Sequence, residues 1–121
     1  MQKSKFVHLI TILATLLCFV SCEYDTIEFD EVVIPPDQEV TFSGDILPIF
    51  TAKCVECHDG SIKLDLREAN AYNALINGGY IDTDNPSSSE LYETVNGGHG
   101  SASQAEKQLI LEWITRGANN D

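Results

Sequence analysis

The chain has 121 residues, with 7 basic and 19 acidic side chains and a formal charge of −12. That length corresponds to about one domain. A hydrophobic content of 43% excludes a wholly disordered chain. The acid excess excludes a nucleic-acid backbone or an anionic lipid surface as an electrostatic partner. The four cysteines, at positions 18, 22, 54 and 57, are too few and too grouped for a disulfide scaffold.

Residues 1–21 have the form of a secretory signal peptide. Gln2-Lys3-Ser4-Lys5 is basic, and residues 6–20 are apolar except for His8, Thr11 and Thr15. Ser21 places a small residue before Cys22. The apolar run is shorter than the roughly 20 residues a membrane-spanning helix needs. Phe19-Val20-Ser21-Cys22 resembles a bacterial lipobox, with a bulky Phe19 where Leu is usual. The resemblance implies that Cys22 is lipid-modified and begins the mature protein. The protein is then exported and lipid-anchored to a bacterial membrane, facing the periplasm or the cell surface. By the habit of such lipoproteins, the resemblance with Glu23 after the cysteine implies the outer membrane. Ordinary cleavage leaving a free thiol, or an uncleaved anchor, are the alternatives. Removing residues 1–21 takes away Lys3 and Lys5 and no acid, so the net charge moves from −12 to −14. It also removes the single methionine and leaves two histidines, His58 and His99.

Residues 22–40 form an expected tether, acidic from Glu23 to Glu31 and stiffened at Pro35-Pro36. Residues 41–121 follow a helical period. Ile46, Ile49 and Phe50 mark a first helix, with Asp45 as cap and Pro48 in the first turn, where no amide hydrogen is needed. Asp65-Leu66-Arg67-Glu68 has the pattern of a capping box opening a second helix. Its apolar stripe is Leu66, Ala69, Tyr72, Leu75 and Ile76, and Gly78-Gly79 end it. Ser87-Ser88-Ser89-Glu90 opens a third helix carrying Leu91, Tyr92 and Val95, which Gly97-Gly98 stop. Ser103-Gln104-Ala105-Glu106 opens a fourth. That helix carries Leu109, Ile110, Trp113 and Ile114 on its buried face, pairs Glu112 with Arg116, and stops at Gly117. The predicted fold is all-α. A domain of about 80 residues with short apolar stripes has a marginal core, so a disulfide, a metal or a cofactor is expected to complete it.

Cys54-Val55-Glu56-Cys57-His58 is a C-x-x-C-H sequence. Residues three apart on a helix end share a face, so Cys54 and Cys57 can each add to one vinyl group of a haem. His58 then comes under the same porphyrin as an iron ligand. Three alternatives compete. A thioredoxin-like dithiol sits after a strand, and no strand pattern precedes Cys54. A closed zinc site needs four ligands, and Cys54, Cys57, His58 and His99 are the only His and Cys residues available in the domain. A structural disulfide leaves His58 without a role. Haem attachment takes place outside the cytoplasm, which agrees with the independent export signal.

Ile46-Leu47-Pro48-Ile49-Phe50 before this motif, and Glu112-Trp113-Ile114-Thr115-Arg116-Gly117-Ala118 near the end, resemble a small class I c-type cytochrome. The closer resemblance is to bacterial lipoproteins with a planctomycete-type cytochrome c domain. It spans roughly residues 41–120. It implies a class I cytochrome c-like fold of about four helices around one covalently bound haem c, with the first and last helices crossing. It implies one-electron transfer and no enzymatic turnover. Cys54 and Cys57 carry over as thioether residues and His58 as proximal ligand. Trp113, with Leu109 and Ile110, carries over as a packing face against Ile49 and Phe50.

The sequence departs from that family in the loop before the last helix. A methionine is usual there as distal ligand, and this chain has Asn96-Gly97-Gly98-His99-Gly100-Ser101. By elimination, His99 is expected as the sixth iron ligand. A surface histidine with water or nothing on iron, or ligation by Lys107, are the alternatives. Two imidazoles favour ferric iron more than a His/Met pair does. The expected function is therefore electron transfer by a membrane-anchored cytochrome. Its charge suits a basic redox partner, approached by salt-sensitive steering. A haem-based gas-binding module with an open distal site, and a haem-free C-x-x-C redox or zinc protein, are the competing functions. No nucleophile–base pair or phosphate loop supports catalysis on a small-molecule substrate, and Asp82 and Asp84 are expected as solvated caps near Pro86.

Overall fold

The computed structural model describes residues 32–121. The signal segment, Cys22 and the first part of the tether lie outside the described residues. Four α-helices occur among those described, and no strand. They are α1 (Leu47–Lys53), α2 (Ala71–Gly78), α3 (Glu90–Asn96) and α4 (Gln104–Thr115). None is long and apolar enough to cross a membrane.

A π turn, Phe42–Ile46, runs directly into α1. It forms because Thr41 O accepts from both Asp45 N (3.1 Å) and Ile46 N (3.3 Å). Thr41 is the cap, its hydroxyl accepting from Gly44 N. Asp45, expected in that role, instead reaches back to accept from Thr41 N at 2.8 Å. Pro48 falls within the first turn of α1, as expected. Asp121 meets this turn: Phe42 N donates to the Asp121 carboxylate (2.8 Å) and Ser43 N to Asp121 O (2.9 Å).

Two expected capping boxes are spent otherwise. Asp65 accepts from Arg67 N, from the Arg67 guanidinium at 2.6 Å and from Asn70 Nδ2 at 2.7 Å. With both carboxylate oxygens turned to these partners, residues 65–70 make a turn, and α2 starts only at Ala71. Ile76 accordingly stays exposed, while Ala71 and Leu75 are buried. Ser89 is 1% exposed, and its hydroxyl accepts from Asp82 N and donates to Asp82 O, so it does not cap α3. The box on α4 forms in full: Glu106 N donates to Ser103 Oγ at 3.2 Å, and Ser103 N to the Glu106 carboxylate at 2.6 Å. Arg116 pairs with Glu112 at 2.8 Å.

The core is aromatic at its centre. Phe42 lies 5.3 Å from both Trp113 and Tyr72, ring centre to ring centre, and 6.3 Å from Phe50. Ile46, Leu75, Ile110 and Ile114 are fully buried around it. Trp113 is a core residue, its Nε1 donating to Asn119 O at 2.9 Å. The end of the expected tether packs on this domain. Val40 is buried in the core, and the Arg116 guanidinium donates to the carbonyls of Gln38 and Pro35.

Candidate functional site

Where α1 ends, the chain does not leave the domain but coils once more. Cys54 N donates to Phe50 O at 2.8 Å, closing the helix. Cys54 O then accepts from both Cys57 N (3.1 Å) and His58 N (2.9 Å). This turn sets the two sulfurs and the imidazole on one short loop. Both cysteines carry free thiols, Cys54 half-buried and Cys57 exposed.

His58 is held from three sides. Its backbone is pinned by Cys54 O and by Leu66 N, which donates to His58 O at 2.9 Å. Its Nδ1 lies 3.0 Å from Leu64 O. A carbonyl oxygen only accepts, so Nδ1 carries the proton and donates. The neutral ring then keeps its lone pair on Nε2, the arrangement of a metal-ligating histidine fixed by an outer hydrogen bond.

A cavity of about 320 Å³ opens beside this loop. Its size lies at the lower end of the range for cofactor and ligand pockets. Cys54, His58 and His99 all line it; Cys57 stands outside the lining, exposed. The walls are mainly apolar: Leu64 and Leu66 from the loop after His58, Tyr80 after α2, and Leu91 and Val95 one turn apart on α3. Lys63 and Glu90 are its charged groups. Leu91 N donates to Tyr80 O at 3.1 Å, which ties the start of α3 to the adjoining wall.

His99 reaches the cavity from the far side of α3. The loop turns there because Gly98 (φ +100°) and Gly100 (φ +79°) occupy the left-handed region, where glycine has no side-chain penalty. Gly100 passes close to Cys54: a β-carbon there would stand 3.6 Å from Cys54 Sγ. The His58 and His99 rings meet edge-on, with centres 6.0 Å apart and planes at 77°. Lys107, the other candidate for the iron, donates instead to Asn96 O at 3.3 Å and does not line the cavity.

The Cys54 thiol is ill suited to the attacking role in a dithiol redox pair. Burial, helped by the nearby Glu106 charge, pushes the Cys54 thiol up from its ordinary value. An attacking redox cysteine needs the opposite shift. Among the described residues, no group of three or more His, Cys, Asp or Glu side chains is placed to hold a metal ion by itself. That weighs against the zinc alternative. A haem iron makes a smaller demand, because its four equatorial ligands come from the porphyrin.

Sequence reading missed the cavity walls. Leu91 and Val95 are recognisable as a buried stripe, but nothing local shows that one edge of that stripe faces a cavity. Tyr80 and Leu64 carry no sequence signal for their places. No protein-family model, no curated protein and no solved structure matches the chain.

Proposed function

We propose that the domain is a c-type cytochrome, carrying one covalently attached haem and serving in one-electron transfer. The observation that carries this reading is the state of His58. It belongs to C-x-x-C-H, its Nδ1 lies against Leu64 O and its side chain lines an apolar cavity, so Nε2 is the nitrogen not engaged by Leu64. The residues present fit the group. Cys54 and Cys57 supply the thioether sulfurs, each thiol adding its S–H across one vinyl C=C. Sulfur bonds one carbon, hydrogen goes to the other, and no electron is gained or lost. His58 supplies an axial nitrogen. Leu64, Leu66, Tyr80, Leu91 and Val95 supply apolar walls, and Lys63 a cation for the acidic edge. Bound haem supplies the ferric/ferrous couple.

The chain's own contribution is position and environment. Leu64 O orients the His58 ring. The apolar walls limit water at the iron. The domain buries its aromatic core, leaving the cavity side for electron exchange with a partner. The −14 charge of the lipid-anchored form suits a basic redox partner, whose reduction rate falls as salt rises. Voltammetry of the purified holoprotein tests the function: a reversible one-electron couple is expected, and its absence contradicts electron transfer.

A further inference from the structure

We infer that His58 and His99 are the two axial ligands of one iron and that their imidazole planes are crossed. The inference rests on the haem reading and goes beyond it to the iron's coordination number and electronic structure. Two imidazoles on opposite sides of one metal, each nitrogen about 2 Å from it, have ring centres roughly 6 Å apart. His58 and His99 are 6.0 Å apart. Both line the same cavity, and the Leu64 hydrogen bond leaves His58 Nε2 free.

His99 is also held on its own side. The loop is anchored by Gly97 N to Glu93 O (2.9 Å), by Gly98 N to Val95 O (3.0 Å) and by Lys107 Nζ on Asn96 O. Gly100 rests near Cys54, so one attachment cysteine and the second histidine are neighbours. No methionine lies in residues 22–121 to compete. Lys63, Tyr80 and Glu90 also line the cavity with side chains that carry a donor atom, and Lys63 and Glu90 are of opposite charge.

The 77° between the rings has a spectroscopic consequence. Parallel imidazoles donate into one iron d orbital and split the pair, which gives a rhombic ferric signal. Crossed imidazoles donate equally into both and leave them nearly degenerate. The ferric low-spin signal is then dominated by a single large g value.

The experiment uses the holoprotein. Electron paramagnetic resonance of the frozen ferric form should show that large-g low-spin signal, and the ferrous form should not bind carbon monoxide. His99→Ala should convert the spectrum to high-spin and bind one carbon monoxide per haem. His99→Met should restore a low-spin iron with a sulfur-to-iron charge-transfer band and a higher potential. A rhombic wild-type signal overturns the crossed planes. A high-spin wild type, carbon monoxide binding by the wild type, or a low-spin His99→Ala with Lys63 on iron overturns the ligation by His99. If His99→Ala does not fold, the wild-type spectrum and carbon monoxide measurement decide alone. Loss of covalent haem is read separately from the denatured protein, so failure of the haem reading is distinguishable from failure of the ligand pair.

Discussion

Replacing both cysteines of the C-x-x-C-H loop, Cys54→Ala with Cys57→Ala, should leave a markedly destabilised domain once extractable haem is removed. The helices are short: 7, 8, 7 and 12 residues. Isolated helices below about 12–15 residues are marginal in water, so these depend on packing. At about 0.05–0.15 kcal/mol per residue, a domain of this size holds about 5–13 kcal/mol in total. An enclosed void costs about 24 cal/mol per Å³, so filling 320 Å³ has a ceiling of about 8 kcal/mol. The cavity reaches the surface beside Ile62, which is 50% exposed, so filling it contributes less than that ceiling. A loss of about 4 kcal/mol, within that ceiling, lowers the melting temperature of a domain this size by about 15 °C or more. Far-ultraviolet circular dichroism of the double variant, after acid–butanone extraction, gives the melting curve, and limited proteolysis gives an independent check. A cooperative transition at the wild-type temperature would refute the reasoning, because the apolar core would then suffice without a cofactor.

Ser103→Ala removes the acceptor for Glu106 N and should cost about 1 kcal/mol, read as a fall in thermal or urea midpoint. Acid should destabilise the domain. The Arg67 side chain holds the Asp65 carboxyl below its usual range, the Asn85 amide does the same for Asp82, and the Ser103 amide for Glu106. The unfolded chain takes up these protons near pH about 4 while the folded one does not, so stability is full above that pH and falls below it. A melting temperature that stays flat from about pH 6 to about pH 3 would contradict these shifts. Cys22→Ser should release the processed domain from membranes or stall its processing, as followed by fractionation. A processed variant that remains with the membrane would show another anchor.

The fourth helix was legible because its signals are local: Ser103 and Glu106 cap each other, and Glu112 meets Arg116 one turn on. The C-x-x-C-H loop was legible for the same reason. Asp65 and the Ser87–Glu90 stretch carry equally good capping patterns, yet Arg67 and Asn70 claim Asp65, Ser87 falls in a short 3-10 turn (Pro86–Ser88), and Asp82 draws the neighbouring Ser89 inward. Those competitors lie outside the box that a capping rule inspects. The docked end of the tether depends on Arg116 reaching carbonyls at Pro35 and Gln38, near the opposite end of the domain in sequence. The partner of the His58 ring is a backbone carbonyl six residues away, which any residue type provides. Glycines flanking His99 could be read as permission for a close approach, but its 6.0 Å separation from His58 is tertiary information.

The covalent haem is tested most directly on protein expressed in the oxidising compartment together with haem-attachment machinery. Intact mass and the pyridine haemochrome spectrum are measured on the denatured, extracted sample. The expected result is a mass increase of one haem and an α-band at the position of a haem with both vinyl groups saturated, lost together in Cys54→Ala with Cys57→Ala. An unmodified mass, or haem that extracts completely and shows the band of intact vinyl groups, would contradict attachment at Cys54 and Cys57.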